Sequence, residues 1–232
     1  MENDSSTIAL EKKKSAQMAV FRQVYIWMSL ALFITGMTAL IVSGNNDLTY
    51  SLLSNPVLFW GLIIAEFVLV YVLAGRIERM SMQTATIVFI AYSIINGVTM
   101  SLLFLMYTSE SIAATFFITA GTFGVMSLYG YMTKRDLSSW RSIFFMALIG
   151  IIIASITNIF LKSETIYWII TYVGVLVFVG LTAYDTQRTK EAIMRSEVNE
   201  TAYKIALIGA LNLYLDFINL FIYILRIMNR RN

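Results

Sequence analysis

An all-α integral membrane protein with seven transmembrane helices, the last of them central in the bundle, is the fold class predicted for this chain of 232 residues. Hydrophobic residues make up 58% of it and charged residues only 13%, against about a quarter charged in ordinary soluble domains. Seven apolar stretches recur along it, each near the roughly 20 residues that a helix needs to cross a hydrocarbon core. Lys and Arg collect in alternate connections, as positive-inside topology requires. Helices follow because backbone polar groups within lipid must be satisfied inside their own segment.

Residues 1–20, MENDSSTIALEKKKSAQMAV, are polar and mixed in charge, and read as a cytoplasmic tail before a single transmembrane domain over 21–232. The first part of that tail, through Met18, has the composition of a solvated, disordered terminus. The following apolar run lacks a small-residue cleavage site and is expected to be retained. The spans are placed at 24–42, 57–74, 85–107, 112–131, 142–161, 166–184 and 204–227. Pro56, the only proline, precedes the second, where it can start a helix without breaking one.

Lys12, Lys13, Lys14 and Arg22 mark the tail, and Arg76 and Arg79 follow the second span. Lys134, Arg135 and Arg141 follow the fourth, and Arg188, Lys190, Arg195 and Lys204 follow the sixth. The opposite connections hold only Lys162, so the amino terminus is expected in the cytoplasm. Arg226, Arg230 and Arg231 stand against this rule if the last segment crosses fully, and would obey it if the segment were re-entrant. Length favours the full span, with the terminal arginines snorkelling.

The absence of Cys and His removes thiolate and imidazole metal sites, disulfides and His-based triads. No phosphate-cradling loop, Rossmann glycine pattern or His-Glu-x-x-His is present, so no enzymatic centre and no cofactor are expected. The net charge of +3 reflects membrane topology, and no nucleic-acid partner is expected. Gly121, Gly124 and Gly150 read as close-packing points between helices.

Asp216 is the only charge in the apolar run 205–225. An Asp at a helix centre costs about 2.5–3.5 kcal/mol on insertion scales, so it marks a functional site. Asn212, Asp216, Asn219 and Tyr223 recur at helical spacing on one face, a polar stripe expected to look inward onto a pore or cavity. The asparagines also fit as interhelical hydrogen-bonding contacts. Asp185 is placed where the sixth span meets its loop, either as a second functional carboxylate or as an interfacial residue balancing Arg188 and Lys190. Glu66, midway along the second span, either lines the same cavity or partners Asn96 or Asn158.

YDTQ at 184–187, NLYLDFINLFIYILRI at 212–227 and AEFVLVYVLAGRIERMS at 65–81 resemble the Bax-inhibitor-like (transmembrane Bax inhibitor motif) family, nearest its bacterial branch. That resemblance covers nearly the whole chain. It implies a last helix surrounded by the other six, and a pH-sensitive calcium leak across what would be the bacterial inner membrane. Two aspartates matching Asp185 and Asp216 share a proton in the family and form a latch, which makes them the candidate calcium-contacting residues as well. Arg79 or Arg76 matches the arginine that takes part. At 97–101 the chain reads GVTMS, where the eukaryotic branch tends to carry Gly-Pro.

Two neighbouring carboxylates cannot both ionise cheaply, so a pair of this kind can sense pH without a histidine. Losing the shared proton, or displacing it with calcium, would open the gate. The expected partners are therefore the lipid bilayer, protons and calcium ions. The resemblance also implies a role beside a membrane-bound ATP-dependent quality-control protease, with the tail as partner site. An intramembrane aspartyl protease shares the Tyr184-Asp185 pair, but residues 213–216 read Leu-Tyr-Leu-Asp where Gly-x-Gly-Asp is needed.

Overall fold

A computed structural model describes residues 2–229 of the chain. The helices are α1 (Glu2–Ser43), α2 (Asn46–Ser54), α3 (Pro56–Arg76), α4 (Met82–Met100), α5 (Leu103–Met106), α6 (Ser109–Met132), α7 (Arg141–Leu161), α8 (Glu164–Arg195) and α9 (Glu200–Asn229). Short 3-10 turns lie at Ile77–Arg79 and Ser138–Trp140. No strand occurs among the described residues. Seven stretches are long and apolar enough to cross a membrane: α1, α3, α4 with α5, α6, α7, α8 and α9. They coincide with the seven expected spans.

Several boundaries differ from expectation, each for a local reason. The third span is interrupted at Ser101 and Leu102, inside the GVTMS run and just after it. The Ser101 hydroxyl donates to the Val98 carbonyl at 2.6 Å, and its amide is shared between Gly97 and Val98, which tightens the turn. A short helix, α2, fills the connection between the first two spans. Asn45 caps it by accepting from the amides of Asp47 and Leu48 at 3.0 and 3.1 Å. Asn55 caps α3 through the Leu58 amide at 3.1 Å, with Pro56 in the first turn as expected. The sixth span continues as α8 to Arg195, so Asp185 lies inside a helix and not at its junction with a loop.

The tail also differs. α1 runs 42 residues, about 63 Å at 1.5 Å per residue, well beyond a hydrocarbon core of about 30 Å. Residues 2–18 thus continue the first span as helix, and the reading of a disordered terminus does not hold for them. α9, at 30 residues, is uninterrupted, which a re-entrant hairpin would not permit. It is also the most buried span, with 61% of its apolar window inside, as a central helix requires. For α3 and α7 the corresponding share is 6%, leaving side chains such as Phe67 and Phe160 for lipid.

The chain forms two compact units. The first holds the residues through Thr108 together with Glu191–Tyr214. In it α4 packs against both α1 and α3. On α1, Val20, Val24, Met28, Ala31, Thr35, Ala39 and Val42 form the buried stripe, recurring every three or four residues as a helix face does. Gly97 allows α4 to approach α1 closely: a methyl there would stand 2.7 Å from the Thr35 carbonyl oxygen. Gln17 is buried, and its amide donates to the carbonyls of Met194 and Ser196 at 2.9 Å each, securing the end of α8. Gln17→Leu should cost about 1–3 kcal/mol by leaving those carbonyls without a donor. Faster hydrogen exchange at 196–199 would reveal it; unchanged exchange would refute it.

The second unit holds Ser109–Lys190 and the chain from Leu215 onward. Ile151 of α7, Phe178, Leu181 and Tyr184 of α8, and Leu220 and Ile224 of α9 build its apolar core. Phe116 and Phe123 of α6 pack on Phe217 of α9 at 5.6 and 5.5 Å between ring centres. The close-packing glycines are not the expected ones. Gly121, Gly124 and Gly150 have nothing within 4 Å of an added methyl, because they point away from neighbouring helices. Gly130 instead abuts the backbone of Ala183, and Gly180 receives the ring of Phe144.

Candidate functional site

α8 and the second half of α9 supply the two aspartates, both within the second unit. Asp185 is 8% exposed and Asp216 is 4% exposed. Their carboxyl groups lie close enough to interact, and two such groups in buried surroundings cannot both ionise cheaply. Asp216 Oδ2 is buried and has no hydrogen-bond partner among the described residues. Leu181 precedes Asp185 by one helical turn and Leu220 follows Asp216 by one turn, so the apolar core begins directly beside the pair. A fully ionised pair in such surroundings would hold two unsolvated charges together, and a shared proton avoids that cost.

The surroundings make α8 rigid at this level. Thr186 and Ser127 share a hydrogen bond at 3.0 Å, tying α8 to α6. Gln187 donates to the Arg135 carbonyl at 2.8 Å and accepts from the Leu137 amide at 2.9 Å, pinning the connection after α6. Lys190 donates to the Tyr131 carbonyl at 2.7 Å and stands 4.2 Å above the Tyr131 ring. Arg188 lies 4.0 Å from Asp185 Oδ1, with its own side chain 56% exposed. That ion pair is long and solvated, so its hold on Asp185 is weak. Asp185 thus faces a second carboxylate and also stands beside Arg188.

The polar stripe of α9 is not one continuous inward face. Asp216 and Tyr223 are buried, whereas Asn212 and Asn219 are half-buried. Asn219 donates back to the Leu215 carbonyl of its own helix at 2.8 Å, which satisfies the amide without a partner helix. Tyr223 stacks on Phe178 at 5.9 Å, and its ring fills the space beside Gly174. Among the described residues, Asp216 is the one of the four seen beside a polar group from another helix. Among the described residues no group of three or more acidic, His or Cys side chains gathers to hold a metal. Two carboxylates supply fewer oxygens than the six to eight calcium prefers, so a calcium ion here would need water or backbone carbonyls as well.

Glu66 belongs to the first unit. It accepts from Thr99 at 2.6 Å and from Asn96 at 3.4 Å, so Asn96 is the partner of the two considered. Asn158 instead closes α7, accepting from the Ser163 amide at 3.0 Å. Arg76 ends α3 and Arg79 lies in the 3-10 turn after it; both are exposed.

Sequence reasoning missed Tyr214, which is wholly buried in the first unit. Its hydroxyl donates to Asn96 at 2.8 Å and pairs with Thr35 at 2.7 Å, while Thr35 lies 2.9 Å from the Ser93 carbonyl. The available signal was a tyrosine among leucines at a helix centre, where a buried hydroxyl needs a partner. Tyr214→Phe should lower stability by about 1–3 kcal/mol, because Asn96 loses its donor. Thermal unfolding in detergent would register this, and an unchanged midpoint would contradict it.

Comparison with known proteins is consistent with these features. A profile of the family described as "Inhibitor of apoptosis-promoting Bax1" matches residues 17–232. The chain is 49% identical over 211 residues to "Inner membrane protein YbhL" of Escherichia coli (strain K12), covering 90% of each. It is 43% identical over 210 residues to an "Uncharacterized protein" of Borreliella burgdorferi, again covering 90% of each. A Deinococcus radiodurans protein is 35% identical over 227 residues and 97% of each chain.

Proposed function

This chain belongs to the Bax-inhibitor-like family of membrane proteins, and from that premise we propose that it is a pH-sensitive calcium leak gated by Asp185 and Asp216. The observation that carries this reading is the adjacent pair of buried carboxyl groups on α8 and α9, with Asp216 Oδ2 buried and without a hydrogen-bond partner among the described residues. With one proton shared, the pair holds α8 to α9. When that proton leaves, two adjacent negative charges repel and the helices separate, so flux rises as pH rises. Calcium is the cargo: it competes for the same carboxylates, and so sparse a ligand set suits passage more than storage.

The site is proposed to lie in the bacterial inner membrane with the amino terminus in the cytoplasm. The basic connections support that orientation, and the Escherichia coli relative is named an inner membrane protein. Arg79 or Arg76 is proposed to compensate the pair once it is charged. The test is calcium uptake into proteoliposomes against pH for the wild type, Asp185→Asn and Asp216→Asn. A wild-type pH profile in both variants would refute the gate.

A second role, as partner of a membrane-bound ATP-dependent protease, is supported by the length of α1. Its helical tail exposes Ile8 and Leu10 beside the lysines, an amphipathic surface that a partner could grip. Deleting residues 1–14 should abolish protease association while leaving ion flux intact. Retained association would count against the tail as the partner site.

A further inference from the structure

The second unit contains a cleft of about 300 Å³ where α6, the connection after it, α7 and α8 meet. Met126, Tyr129, Arg135, Trp140, Phe144 and Gly180 line most of it. Its size is at the lower end of ligand sites, which run to about 300–1,000 Å³. The absence of a side chain at Gly180 leaves the floor low, against the ring of Phe144. Tyr129 and Trp140 are 45% and 52% exposed, and the α6 residues Val125, Leu128 and Met132 nearby are exposed as well. The cleft therefore continues onto the apolar surface that faces lipid.

Its other end is basic. Arg135 and Asp136 both line the cleft, and Lys134 and Arg141 in the same connection leave a surplus of positive charge there. The Arg135 guanidinium forms no ion pair among the described residues. Asp136, the acidic neighbour, is occupied in part by the Ser138 amide at 2.8 Å. The connection is held in place by Gln187 through the Arg135 carbonyl and the Leu137 amide, so the basic end is positioned before any ligand arrives. A guanidinium at the rim of an apolar slot, with a Trp and a Tyr beside it, matches the amphiphilic profile of a phospholipid at the membrane interface.

We propose that this cleft is a binding site for one anionic phospholipid, with its phosphate on Arg135 and part of an acyl chain between Met126, Phe144 and Gly180. A basic pocket between transmembrane helices on the positively charged side is where anionic headgroups are held. A soluble anion would use the guanidinium and leave the apolar slot empty. A zwitterionic lipid would use the slot but gain less from the surplus of positive charge. The site stands whether or not the aspartate pair gates ions, since occupancy is read directly.

The experiment uses full-length protein in nanodiscs containing a phosphatidylglycerol with a photoactivatable group on its acyl chain. Cross-links are mapped by mass spectrometry against the matching phosphatidylcholine probe. Labelling concentrated on α6 near Met126 and on Phe144, several-fold above the phosphatidylcholine probe, is expected. Arg135→Gln should remove that preference, and Met126→Trp should fill the slot and reduce labelling by both probes. Melting temperatures near the wild type would confirm that both variants are folded, and Arg135→Gln alone suffices if Met126→Trp is not. Labelling spread evenly over all lipid-facing helices would overturn the proposal. So would equal labelling by the two probes, or displacement of the anionic probe by millimolar inorganic phosphate.

Discussion

Asp216→Asn is expected to abolish the pH dependence of calcium flux while leaving the protein folded. The substitution keeps the size of the side chain and its capacity to hydrogen-bond Asp185, but removes one of the two acids proposed to share a proton. The remaining carboxylate then has no like charge opposite it, so raising the pH no longer generates the repulsion that parts α8 from α9. A gate whose balance moves by about 1.4 kcal/mol changes its open fraction about tenfold, and that variation should vanish between mildly acidic and mildly alkaline conditions. Asp185→Asn should behave alike. The readout is the ratio of initial calcium uptake rates at the two pH extremes, and a wild-type ratio in both variants would exclude the mechanism. Restoration of a pH response in the exchanged pair, with Glu at position 216, would distinguish shared-proton gating from simple loss of a ligand.

Gly130→Ala is expected to be strongly damaging for a single added methyl. Gly130 of α6 lies directly against the backbone of Ala183 on α8, so the obstruction cannot be relieved by a rotamer change. Inserting a methylene into a packed core costs about 1–3 kcal/mol and more where backbone must move. The consequence would reach the aspartates, because Ala183 is two residues from Asp185 on the same helix. Poor yield of monodisperse protein and a lowered unfolding temperature are the measurements. Gly121→Ala, on the same helix with open space around it, is the control and should be neutral or slightly stabilising through helix propensity. Equal effects of the two would show that the close approach of α6 and α8 does not limit stability.

Much of the fold was legible before any coordinates. Each span announced itself through a local run of apolar residues, and the Pro56 start and the long final helix followed from the same local chemistry. The departures arose where polar side chains are buried by neighbours. Residues 185–195 look like loop because they are polar, yet Thr186, Gln187 and Thr189 are buried on α8, and Thr186 and Gln187 are hydrogen-bonded there. Gln17 looks like part of a solvated tail, but its amide is held by two carbonyls far along the chain. Asn219, whose spacing fits either a cavity face or an interhelical contact, donates to the Leu215 carbonyl of its own helix.

By itself the sequence determined that the chain crosses a membrane, how many times, and that Asp216 stands alone in apolar surroundings. It did so because hydropathy and charge act over a single span, within one window of residues. The family resemblance added the expectation that Asp185 belongs with it. Tertiary structure alone brought the two carboxyls within reach of each other, left Asp216 Oδ2 buried without a hydrogen-bond partner among the described residues, and set Gly130 rather than Gly121 against a neighbouring backbone. Helical periodicity names the face on which a side chain lies, but the group across from that face is set by how distant helices pack. That contact determines whether a buried charge is merely costly or can hold a gate.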